Sequence, residues 1–172
     1  MKSKVKIVLD ADVIIHFSEG ENLGMLPQIF DECEYIVLDY VYKEVRRKEV
    51  REQLQKQIEW FKSIRLVEFA PTGEMMHDYA RVLRERGKGE SACLVYCMYN
   101  HDVIGSSNLR DIREFCEEHG IAYLTTCDFL YYAWKRGKLS ESEVLTFIEN
   151  VKREGSKLPD IDIRKYVPNT QM

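Results

Sequence analysis

Ile7-Val8-Leu9-Asp10-Ala11-Asp12-Val13-Ile14-Ile15 places two carboxylates between two apolar runs. Residues 4–9, rich in valine and isoleucine, read as a strand buried on both faces. Residues 11–17 continue as a helix, with Asp10 at the junction. A charge held between apolar runs is costly unless it is paired or metal-bound. Asp10 is therefore the residue from which both fold and function are worked out.

The same kind of short apolar strand recurs at residues 35–38, 102–105 and 121–124. Residues 65–69 read as a strand or an extended connection, ended by Pro71 and Gly73. Helical patterns lie between: 22–30, a long stretch 41–64 with a break near 48–50, 74–86, 90–99, 108–119 stopped by Gly120, and 128–136. Ser140-Glu141-Ser142-Glu143 is a capping box opening a last helix to about residue 152, and the tail reads as irregular. Short apolar strands alternating with helices imply an α/β fold. The expected architecture is a three-layer α/β/α sandwich around a central, mainly parallel sheet of four to five strands. The chain reads as one domain, 1–172, with its motif-bearing core at about 4–136 and a C-terminal helix and tail at about 140–172.

Composition removes several classes of function. The 45% hydrophobic fraction argues against disorder. No apolar run approaches the ~20 residues that span a bilayer, so no membrane partner is expected. Asp10 and Asp12 interrupt what would be a signal-peptide core, and the N-terminus reads as mature structure. Five scattered cysteines do not make a disulfide framework. Cys93 and Cys97 lack a second Cys/His pair at zinc spacing and read as small buried thiols. A reducing cytoplasm is the expected location. The net charge of −4 excludes nucleic-acid binding through overall basicity. Local basic patches or metal ions would have to supply it.

In parallel sheets, ligands bind beyond the carboxyl ends of the strands. Asp10 and Asp12 follow the first strand, Glu44 follows the second, and Glu90 opens the apolar helix before the third. Asn108 and Asp111 come after the third, and Asp128 after the fourth. Converging carboxylates repel and raise one another's pKa, a conflict that Mg²⁺ or Mn²⁺ relieves. The plainer alternative is that acidic residues fall near strand ends by chance, there being 29 of them. Asp10, Asp111 and Asp128 are then helix N-caps, and Asp128 fits a cap better than a ligand.

At these residues the sequence resembles the PIN-domain nucleases, which include the VapC-type ribonuclease toxins. Ile7 to Ile15 resembles the family's first motif, with Asp12 where Asn or Ser is usual. Val41-Tyr42-Lys43-Glu44-Val45 resembles the second, and Gly87-Lys88-Gly89-Glu90 is similar to a Gly-x-Gly-Glu segment. Ser106-Ser107-Asn108-Leu109-Arg110-Asp111 resembles the Thr-x-Asn-x-x-Asp segment of the VapC-type branch, with Ser106 for Thr.

The resemblance implies a metal-binding and catalytic set of Asp10, Glu44, Glu90 and Asp111. Asn108, Asp12 and Ser106 would position substrate, and Asp128 is a possible extra ligand. It also implies hydrolysis of RNA, as a toxin or an RNA-processing enzyme, with RNA as partner, an antitoxin as a possible second partner, and a homodimer. Many relatives carry adjacent aspartates where Asn108 and Leu109 stand, which leaves open a catalytically inactive module that binds RNA or protein. A receiver-type α/β domain is a third reading, but no lysine follows a late strand and no glycine-rich phosphate loop is present.

The four histidines are scattered, and His16 reads as packing. The basic runs Arg46-Arg47-Lys48 with Arg51, and Arg81, Arg84, Arg86 with Lys88, read first as solvated helix faces. Flanking a site, they would meet phosphates. Tyr131, Tyr132 and Trp134 read as packing rather than base-stacking residues.

Overall fold

The computed structural model describes residues 3–172. Five strands, β1 (Lys6–Leu9), β2 (Glu34–Leu38), β3 (Ile64–Val67), β4 (Val103–Gly105) and β5 (Tyr123–Leu124), form one sheet in the order β3-β2-β1-β4-β5. Every pairing is parallel, with Leu9 opposite Gly105 and Ile104 opposite Tyr123. Ile7, Val8, Leu9, Ile36, Val37 and Leu38 are fully buried, as expected of strands covered on both faces.

Eight helices supply the cover: α1 (Ala11–Glu19), α2 (Asp39–Glu44), α3 (Lys48–Glu59), α4 (Glu74–Val82), α5 (Lys88–Asn100), α6 (Leu109–His119), α7 (Thr126–Lys135) and α8 (Glu141–Arg153). Helix α1 packs with α3, α7 and α8, while α5 packs with α2, α4 and α6. These two groups make a three-layer α/β/α sandwich. No helix among the described residues is long and apolar enough to cross a membrane.

Two expected elements differ. Residues 22–30 form a single 3₁₀ turn, Leu26–Gln28, rather than a helix. Pro27 supplies no amide hydrogen, and the Asn22 side chain donates to the Gly20 carbonyl instead of leaving the backbone to wind. The long stretch 41–64 is two helices, parted at 45–47 rather than near 48–50. The Arg51 guanidinium takes the Tyr42 and Val45 carbonyls at 2.7 and 2.8 Å, replacing the helical bonds the break removes. Glu44 thereby becomes the last residue of a short helix rather than the interior of a long one.

The irregular tail is fastened to the sheet's β5 edge. Thr125 caps α7 and accepts from the Asp128 N–H, while Asp128 Oδ2 accepts from the Thr125 N–H at 2.8 Å. Asp128 Oδ1 accepts from the Tyr166 hydroxyl at 2.8 Å and the Asn169 N–H at 2.9 Å. Thr170 Oγ1 accepts from the Tyr123 N–H and donates to its carbonyl. Asp128 is fully buried, so removing its carboxylate strands several donors away from water. Asp128→Ala is expected to lose about 2–4 kcal/mol of unfolding free energy, a lost cap plus unmade buried hydrogen bonds. Urea unfolding checks this, and a loss well under 1 kcal/mol would show that the tail does not depend on Asp128.

Candidate metal centre

From β1 the chain winds outward through β2 to β3, then crosses back to lay down β4 and β5 on the other side. The crevice at such a reversal, outside the carboxyl ends of the strands, is where open α/β sheets bind ligands. Asp10 is the first residue beyond β1, and Ser106 the first beyond β4. The two ends are joined, since the Asp10 N–H donates to the Gly105 carbonyl at 2.8 Å and Ser106 Oγ donates to Asp10 Oδ2 at 3.3 Å. Asp10 is also the N-cap of α1, its Oδ1 accepting from the Ala11 N–H at 2.8 Å. The cap reading and the site reading thus fall on one residue.

Four helices bring further oxygens to the same edge. Asp12, in the first turn of α1, accepts from the Ser107 N–H at 2.9 Å. Glu90, buried in the first turn of α5, accepts from Asn108 Nδ2 at 2.9 Å. The same amide donates to Asp111 Oδ2 at 2.7 Å. Asn108 holds the N-cap position of α6 yet makes no capping bond. Its two amide hydrogens bridge two carboxylates instead. Glu44, at the end of α2, accepts from the Gly89 N–H at 2.8 Å. A side chain at residue 89 would run into the Glu44 carboxylate and push it off the Gly89 N–H.

The charges act on one another. Burial pushes Asp10 up to about 6, opposed by the Ala11 hydrogen bond and reinforced by the charge of Glu44. Burial and then the charge of Asp10 push Asp12 up to about 7, with Glu90 adding to the effect. Glu90 is also raised to about 7, by burial first, then by Asp10, with Asp111 contributing. An oxygen-only donor set of mutually repelling carboxylates fits a hard divalent cation. Among the described residues, no three His, Cys, Asp or Glu side chains already stand as a closed ligand group. The Asn108 amide stands between Glu90 and Asp111, and Glu44 leans on Gly89.

Asp128 makes its hydrogen bonds to Thr125, Tyr166 and Asn169, apart from the cluster around Asp10. It sits in the third position of α7, one turn inside the cap that sequence reasoning assigned to it. Thr125-x-x-Asp128 is itself a capping-box pattern, and reading it would have found Thr125.

Ser107 and Thr126 carried no sequence signal. His16 Nδ1 lies 2.8 Å from Thr126 Oγ1, and Ser107 Oγ donates to that same oxygen at 2.7 Å. A buried polar chain thus runs from His16 to the residue whose N–H holds Asp12. Burial lowers the His16 pKa and favours its neutral form.

The basic runs are partly committed to structure. Arg47 pairs with Glu19 and Glu154, and Arg86 Nε donates to the Asp111 carbonyl at 2.9 Å. Tyr131 packs against Tyr132, Trp134 and Tyr166.

Comparison with the curated proteins finds no match. A family model described as a PIN domain matches residues 6–168, which hold the five strands and both helical layers, and the chain belongs to the PIN-domain family.

Proposed function

We propose that this chain is a metal-dependent ribonuclease, with Asp10, Glu44, Glu90 and Asp111 holding Mg²⁺ or Mn²⁺ and Asp12 beside them. The observation that carries the proposal is the convergence of carboxylates from α1, α2, α5 and α6 on the reversal point between β1 and β4. Membership in a family whose members are generally nucleases supports it.

When bound, the cation supplies an activated water at neutral pH and offsets charge on the phosphate. The chain's own residues do the positioning. Asp10 is held by two strand ends at once, which ties its carboxylate to both β1 and β4. Asn108 sets the spacing of Glu90 and Asp111, and the Ser107 N–H fixes Asp12. A phosphodiester could not approach these carboxylates uncompensated, so substrate binding and metal binding are coupled. The bridging Asn108 amide, where relatives carry adjacent aspartates, supports a second reading: a PIN fold that binds RNA or protein without cleaving it.

Incubating the purified protein with a mixed-sequence structured RNA separates the two. Cleavage is expected with Mg²⁺ or Mn²⁺ and not with EDTA. In Asp10→Asn it is expected to fall by more than about 100-fold, beyond what outer-shell changes at metal sites cost. A folded wild type that neither cleaves nor binds metal in calorimetry would favour the non-catalytic reading.

The raised carboxyls give a second expectation, with a definite sign. Asp10, Asp12 and Glu90 have folded pKa values of about 6, 7 and 7. All lie above the ~4 of an unfolded chain. The folded state therefore binds more protons, and these groups lower stability as pH rises from about 4 to 7. A cation that binds the deprotonated cluster reverses that loss. The rise in Tm on adding Mn²⁺ is expected to be larger at pH 8 than at pH 5. Equal shifts at the two pH values would mean that these carboxylates do not hold the ion.

A further inference from the structure

Beside the carboxylates, a groove of about 770 Å³ opens between α2 and α4 and reaches the start of α5. Tyr40, Tyr79 and Leu83 make its apolar wall, and Lys43, Arg46 and Lys88 its cations. Glu44 lines it too, so it is continuous with the candidate metal centre. The three cations are exposed in a chain whose net charge is −4. Lys43 reaches Asp39 at 3.4 Å, while Arg46 and Lys88 make no ion pair among the described residues. The Tyr40 and Tyr79 rings are braced edge-on against each other and against buried Phe69, with centroids 5.2–6.0 Å apart.

We propose that this groove is a subsite for single-stranded RNA, holding one nucleotide that flanks the phosphate at the carboxylates. The proposal rests on the nuclease reading for its location. Its volume falls in the range of pockets that enclose a small ligand. An unpaired base offers a flat face to the half-buried Tyr40 ring, taking the place of the Lys43 ammonium 5.5 Å from its centroid, which a paired base inside a duplex cannot. The phosphate of that nucleotide meets Arg46 and Lys88. Charge complementarity selects this occupant over an apolar peptide, since the groove gathers unpaired cations next to an acidic centre that repels anions. The two halves of the site divide the work: the carboxylates take the scissile phosphate through their cation, and the groove takes the neighbouring nucleotide directly.

Binding rather than cleavage tests it. A fluorescein-labelled unstructured 12-mer RNA is titrated in Ca²⁺ or EDTA, with fluorescence anisotropy read over a range of salt. Arg46→Ala combined with Lys88→Ala is expected to weaken binding at least about tenfold at low salt. It should also flatten the slope of log K against log salt by about 0.7, the value for one phosphate contact on a single strand. Lys138→Ala, which removes an exposed cation elsewhere, should change neither quantity.

Tyr40→Leu should weaken single-strand binding about tenfold with the slope unchanged, because it removes a stacking face and no charge. Circular dichroism confirms that it folds. The double variant, which touches no core side chain, keeps the test decisive if it does not. Unchanged affinity and slope in the double variant overturn the subsite, as does equal binding of a duplex of the same length. Its failure is separable from failure of the nuclease reading. Loss of binding in the variants with a wild type that neither cleaves nor binds metal keeps the groove and removes the nuclease. Cleavage with unchanged kcat/KM in the variants keeps the nuclease and removes the groove.

Discussion

Carboxylates withheld from water beside one another repel, and much of the local structure is arranged around that repulsion. On top of their own burial, Asp12 and Glu90 each feel the charge of Asp10, and Asp10 feels that of Glu44. The donors that hold them are mostly backbone amides and small polar side chains: the Ala11, Val13 and Ser107 N–H groups, Ser106 Oγ and the Asn108 amide. No lysine or arginine side chain forms an ion pair with them among the described residues. A permanent cationic partner would neutralise the cluster. Neutral donors fix its geometry and leave its charge available. That is the difference between a buried ion pair, whose two charges satisfy each other, and a cluster of acids that no side-chain ion pair offsets.

The sheet makes this arrangement affordable in structural terms. Parallel pairing sends every strand's carboxyl end to one side, and the reversal of winding between β1 and β4 opens a gap there instead of filling it with a connecting loop. Helices α1 and α5 then start at that gap, turning their N-terminal amides toward the acids. The partial positive charge of a helix N-terminus favours carboxylates in the first turn, which both Asp12 and Glu90 occupy.

The strands were legible because buried parallel strands leave unbroken β-branched runs, and Asp10 because it breaks such a run. The capping box at Ser140 was legible because it is local. What escaped the sequence was non-local. Ser107 reaches Asp12 across 95 residues, and no spacing rule encodes that. The split between α2 and α3 depends on Arg51 folding back onto two carbonyls, a competition that periodicity does not register. The missing helix at 22–30 is a different case, since Gly24 and Pro27 are local helix breakers within an apolar pattern that resembles a helix. Asn108 was visible as a polar residue near the site, but its role as a bridge became apparent only when α5 and α6 were placed side by side.

The tail held on Asp128 bears on how the domain is made. Residues 166–170 close over β5 through Tyr166, Asn169 and Thr170, and they leave the ribosome after every strand and helix. Until they arrive, Asp128 has Thr125 but lacks Tyr166 and Asn169, and the edge of a two-residue strand stands open. The nascent domain therefore reaches its closed form only once these residues are free of the exit tunnel. A chain stalled or truncated before them would leave that far edge of the sheet unsealed.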